Sequence, residues 1–224
     1  MTRARTAAVA VLVLMAAFVG VDVVAMALYP GGTFMDPGAV GHRFWGNFLC
    51  DLARRPAVGG RLNTAAPWGT ATLGLLFLAG GAFWLAVPSL FRSRRAARFV
   101  VGAGMLSTVS LMSLALGATR SAHLAGVVCG AVPGLAAAVV ALSSLRSRRG
   151  LFALGAVAAV LCAVDVVLYV RYFHEIVLAV PLVQRLALLA GVSWIVACTF
   201  TVLYEGEVAA AAGGGAESGS PRAT

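Results

Sequence analysis

Lysine is absent from this 224-residue chain, acidic residues number only eight, and charged residues of both signs make up 11%. A soluble domain carries roughly 25% charged and roughly 45–50% apolar residues; at 61% apolar, an ordinary soluble domain is excluded and the chain belongs in lipid. All 17 basic side chains are arginines, and the net charge is +9. They fall mainly in short segments between apolar runs, which is the pattern of topology signals rather than of a nucleic-acid face. No nucleic-acid partner is expected. The four cysteines, Cys50, Cys129, Cys162 and Cys198, show no CxxC spacing, which excludes a zinc ribbon; three lie in apolar runs, where a thiol behaves as a small hydrophobe, so no structural disulfide is expected. A P-loop, a GxGxxG in a strand-turn-helix context, a Gly-x-Ser-x-Gly and a His-Glu-x-x-His are also missing, which removes the common soluble enzyme classes.

Six apolar stretches remain, each long enough for the ~20 residues that a spanning helix needs. They fall at about 7 to 29, 67 to 90, 99 to 119, 123 to 145, 151 to 172 and 183 to 204. Unpaired backbone polar groups are not tolerated in lipid, so each stretch is expected to be helical. The predicted fold class is all-α: an integral membrane bundle of six transmembrane helices over residues 1–205, followed by a small, polar, Gly-rich tail, 206–224, read as disordered and cytoplasmic. The first stretch exceeds the roughly 7–15 residues of a signal-peptide core, and so reads as a span.

Arginine placement sets the expected orientation. Arg3 and Arg5 precede the first span, "FRSRRAAR" joins spans two and three, and "RSRRG" joins spans four and five. Dense clusters in short loops favour the cytoplasm, so both termini are expected there, in a multi-pass protein of a bacterial inner (plasma) membrane. The opposite face then holds Arg43, Arg54, Arg55, Arg61, Arg120, Arg171 and Arg185.

The first loop contains "GHRFWGNFLCDLARRP", residues 41 to 56. On helical spacing, Phe44, Trp45, Phe48, Leu49 and Leu52 share one arc, while Arg43, Asn47, Cys50, Asp51, Arg54 and Arg55 share the other. That pattern predicts an amphipathic segment lying in the membrane surface. Asn47 and Asp51, one helical turn apart, then roof a cavity between the spans.

Two acids lie inside spans: Asp22 in "VDVVAMALY" and Asp165 in "VDVVLYVRY". Each is followed two turns later, on the same face, by a tyrosine, Tyr29 or Tyr172. At about 1.5 Å per residue each acid sits roughly 10 Å inward of its tyrosine. An intramembrane carboxylate costs about 2.5–3.5 kcal/mol, so both are expected to face the bundle interior. His42, His123 and His174 fall on the outer side together with Asp51 and Glu175. Their spacing gives no metal motif, so no metal and no cofactor are expected; acid–base work by His123 with Asp51 needs only hydrogen-bond reach. Gly126, Gly130 and Gly134 form a doubled GxxxG in the fourth span, a seam for close helix packing that also admits a homo-oligomer.

The order "YPGG", then "FWGNFLCDL", then Asn63 leading into a small-residue span, resembles the first external loop of bacterial six-span proteins of the domain-of-unknown-function 998 type. Those are similar in turn to the DRAM and GPI-lipid-remodelling group, with an Asn-x-x-Ser-Asp-Leu-like motif after span one. Asn47, Cys50, Asp51 and Leu52 match it, with cysteine where serine is common, and His123 in "SAHLAG" resembles a histidine carried there. The resemblance spans residues 20 to 205 and implies a six-helix fold and lipid-related work, with no catalytic residue to transfer. The leading expectation is an outward-facing polar cavity that binds or modifies an amphipathic membrane lipid, lined by Asn47, Asp51, Arg54, His123, Asp22, Asp165, Tyr29 and Tyr172. Proton-coupled transport through Asp22 and Asp165, and a noncatalytic scaffold, are the alternatives; the sequence leaves open whether a reaction is catalysed, His123 and Asp51 being the catalytic candidates.

Overall fold

The structure, a computed structural model, describes residues 2–115, 120–172 and 177–214, with the side chains of 120–122 and 209–214 excepted. Six helices carry the chain: α1 (Arg3–Leu28), α2 (Ala66–Ala86), α3 (Arg94–Ala115), α4 (Arg120–Ser144), α5 (Arg149–Arg171) and α6 (Ala179–Gly214). Each contains a stretch long and apolar enough to cross a membrane. A helix satisfies its own backbone there, which is why these runs take no other form. Large apolar side chains such as Val13, Val109, Val139, Val160 and Val167 stand exposed on the outer surface of the helices. In a soluble protein such a belt would drive aggregation; in a bilayer it faces acyl chains.

Successive helices pack as hairpins, α1 with α2, α3 with α4 and α5 with α6, and α1 also meets α6. The glycine seam of α4 is filled by α3 of the same chain. A Cβ at Gly126, Gly130 or Gly134 would stand 2.8 Å from Leu114, 2.5 Å from Leu111 or 2.6 Å from Ser107. Two ion pairs, Arg5–Glu207 at 2.8 Å and Arg148–Glu205, place the start of α1, the α4–α5 connection and the end of α6 on one face. The first loop, residues 29–65, covers the other.

Two readings of the sequence need adjustment. Helix α6 continues to Gly214, beyond the expected end at 205. Its "EVAAAA" run has strong helix propensity, and Glu205 and Glu207 tie it to arginines of the same face. Residues 215–224 lie outside the described residues. The segment 41–56 is not an amphipathic helix: only Leu49–Ala53 forms a helical turn, of the 3-10 type. Nor do its polar and apolar residues divide between two faces, because Asn47 and Asp51 are as deeply buried as Phe48, Leu49 and Leu52.

Candidate functional site

The loop is a folded cap. It lies against the start of α2 so closely that a Cβ on Gly69 would be 2.3 Å from the backbone of Leu52. The Asn63 side-chain amide donates to the carbonyls of Leu52 (3.0 Å) and Arg54 (2.8 Å). The Asn47 amide donates to Gly32 O (2.8 Å) and to Asp51 Oδ2 (3.2 Å), while its oxygen accepts from Arg43 N–H (2.9 Å). Asp51 Oδ2 also accepts from Phe48 N–H at 2.9 Å. The structure therefore brings Asn47 and Asp51 together as expected, but their hydrogen bonds are spent on loop backbone that has no ladder of its own. Tyr29, fully buried, accepts from Val58 N–H and donates to Gly32 O, both at 3.2 Å.

Arg185 anchors this cap from α6. The sequence puts it among the arginines of the outer face; its side chain is completely buried. Its Nε–H donates to Asn47 O (3.3 Å), its Nη2 meets His42 Nε2 (3.1 Å), and the guanidinium lies 4.8 Å from the Phe44 ring centroid. Among the described residues Nη1 has no hydrogen-bond partner, and neither has Asp22 Oδ1 on α1. Arg185 is in range for its charge to act on Asp22 and on Asp51, yet no carboxylate comes within ion-pair distance of it among the described residues. Its signal in the sequence was a "QR" pair inside an otherwise unbroken apolar run.

Burial pushes the Asp51 carboxyl up to about 6, against the hydrogen bonds from Asn47 and Phe48 and the charges of Arg54 and Arg185, which pull it down. His42 goes the other way, to about 4, because burial and then the adjacent Arg185 both disfavour a second cation. Its Nε2 faces a guanidinium N–H, so the neutral ring is the form that fits.

Beneath the cap lies a half-enclosed cavity of about 370 Å³ between α2, α3, α4, α5 and α6. At the loop end it is lined by Cys50, His123, Asp165, Tyr169 and Gln184. The Gln184 oxygen accepts from Leu49 N–H at 2.9 Å, joining the cavity to the cap. Towards the other end the lining is Phe83, Trp84, Ser107, Thr108, Leu135, Ala138, Trp194 and Ile195. From His123 to Ala138 along α4 this extends about 22 Å, at about 1.5 Å per residue. Asp165 lines the cavity, and its Oδ1 is buried without a hydrogen-bond partner among the described residues.

The expected site residues thus divide. His123 and Asp165 line the cavity; Asp22, Tyr29, Asn47, Asp51, Arg54 and Tyr172 do not. Asp22 is buried on α1, Tyr172 sits beneath the Arg171 guanidinium at 5.5 Å, and Arg54 is exposed, 5.2 Å from the Phe34 ring. No hydrogen bond joins His123 to Asp51 among the described residues; the His123 ring lies 6.2 Å from that of Tyr169 between centroids. His174 and Glu175 lie outside the described residues. No group of three or more metal-ligating side chains occurs among the described residues, and the four cysteines are free.

Comparison of the chain with protein-family models, with curated proteins and with solved structures found no match.

Proposed function

We propose that this polytopic membrane protein binds an amphipathic lipid in the cavity beneath the first loop, with the loop face outward. The observation that carries this reading is the polarity gradient along a single cavity. His123, Asp165 and Gln184 gather towards the loop end, while the remainder is lined by aromatic and aliphatic side chains and by the two small hydroxyls of Ser107 and Thr108. A water-soluble ligand would waste the apolar length, and a pure hydrocarbon would leave the polar end unpaired. The volume is within the roughly 300–1,000 Å³ usual for small-molecule sites. Proton coupling through both intramembrane acids is less well served, because Asp165 lines the cavity and Asp22 does not.

The test uses two glycines of the lining. Gly80 and Gly191 both border the cavity, and each has open space where a Cβ would stand. Gly80→Leu and Gly191→Leu should fill the cavity and leave the helices intact. Mass spectrometry of lipids retained on purification should show one lipid class enriched in the wild type and lost from both variants. Identical retained lipids in wild type and variants would refute the reading.

A further inference from the structure

We infer that the amphiphile in this cavity has a polar end that donates hydrogen bonds and carries no negative charge, that is, an alcohol or an amine. The inference deepens the lipid-site reading above and depends on it. Asp165 Oδ1 is an acceptor buried in the cavity wall, and no donor among the described residues meets it. A buried polar atom in that condition is costly, and a ligand that supplies an O–H or N–H relieves the cost. Among the described residues the cavity lining contains no arginine, and the chain has no lysine. Arg185 on α6 is directed to Asn47, His42 and Phe44, and Arg54 of the cap lies against Phe34 at the exposed surface. A phosphate or carboxylate head group would enter a low-dielectric space beside an acid, with no arginine among the described lining residues to offset it. An alcohol or an amine presents the hydrogen-bond donor that Asp165 lacks. Gln184 commits its oxygen to Leu49 N–H, which leaves its amide N–H groups to donate to the hydroxyl oxygen of an alcohol; an ammonium has no lone pair for them.

The experiment compares four amphiphiles sharing an oleyl chain: oleyl alcohol, oleylamine, methyl oleate and oleate. Each is titrated onto the delipidated full chain and followed by the fluorescence of Trp84 and Trp194, which line the cavity. The alcohol or the amine should bind at least about tenfold more tightly than methyl oleate, which offers acceptors only, and than oleate. Which of the two leads identifies the donor. In Asp165→Leu that advantage should shrink to about twofold or less while methyl oleate binds as before, which also shows the cavity intact. Should that variant fail to fold, Asp165→Asn supplies a donor of its own, and methyl oleate should then gain relative to the alcohol. Equal or tighter binding of oleate or methyl oleate by the wild type, or an advantage that survives in Asp165→Leu, overturns the head-group assignment while leaving the lipid site standing. If none of the four binds, the lipid site itself falls, and the assignment with it.

Discussion

Two titrations in the cap should oppose each other and nearly cancel. Asp51 titrates at about 6 in the folded protein against 3.8 unperturbed. The folded state therefore holds its proton longer, and Asp51 contributes stability that is present below pH 3.8 and lost as pH rises towards about 6. His42 titrates at about 4 against 6.5, so its contribution is present above pH 6.5 and lost as pH falls towards about 4. One pK unit corresponds to about 1.4 kcal/mol, so each group contributes on the order of 3 kcal/mol across its window, an upper figure for the partly exposed histidine. Between about pH 4 and 6 the slopes have opposite signs. Asp51→Asn keeps an acceptor for Phe48 N–H and removes one slope, so the variant should lose stability as pH is lowered through this range, relative to wild type. His42→Gln keeps an acceptor for Arg185 and removes the other, so it should lose stability as pH is raised. Thermal unfolding in detergent from pH 4 to 7, read as the difference between each variant and wild type, cancels the titrations that all three share. Parallel pH profiles for the three proteins, or differences of reversed sign, would refute the electrostatic picture of the cap.

Arg185 and Asp22 should be energetically linked although no direct ion pair joins them. Arg185→Met removes the hydrogen bonds to Asn47 and His42 and leaves Asp22 buried without its nearest cation, a loss of about 3 kcal/mol in a denaturation experiment. Asp22→Asn should cost less in that background than alone, by about 1 kcal/mol or more, and strict additivity would break the link. For orientation, Val40 is 75% exposed on the loop face. A single cysteine there, in a chain otherwise free of cysteine, should react with an impermeant maleimide added to intact cells, whereas one at Ala96, beside the α2–α3 connection, should not; the reverse pattern would invert the topology.

The six spans were legible in the sequence because lipid allows one local solution: a run of about 20 apolar residues must bond its own backbone, so composition and length decide the outcome without reference to neighbours. The α4 glycines were legible as a seam for the same local reason, while their partner, α3, was not. The first loop could not be read in that way. The helical periodicity of residues 41–56 placed Asn47 and Asp51 on a polar face, whereas their hydrogen bonds run to each other, to Gly32, to Phe48 N–H and to Arg185. A segment outside the bilayer is free of the rule that forces a helix, and its shape follows from which distant donors and acceptors fold against it. Arg185 shows the same limit. Sequence position put it on the outer face near the start of the sixth span, and packing of α6 against the cap buried it completely. The two intramembrane acids were recognisable from sequence as costly residues. Only the tertiary structure separated them, because the face of a helix that meets a cavity is set by its neighbours and not by its own residues. Asp165 turns to the cavity with an oxygen unpaired, and Asp22 is buried on α1 within range of the Arg185 charge.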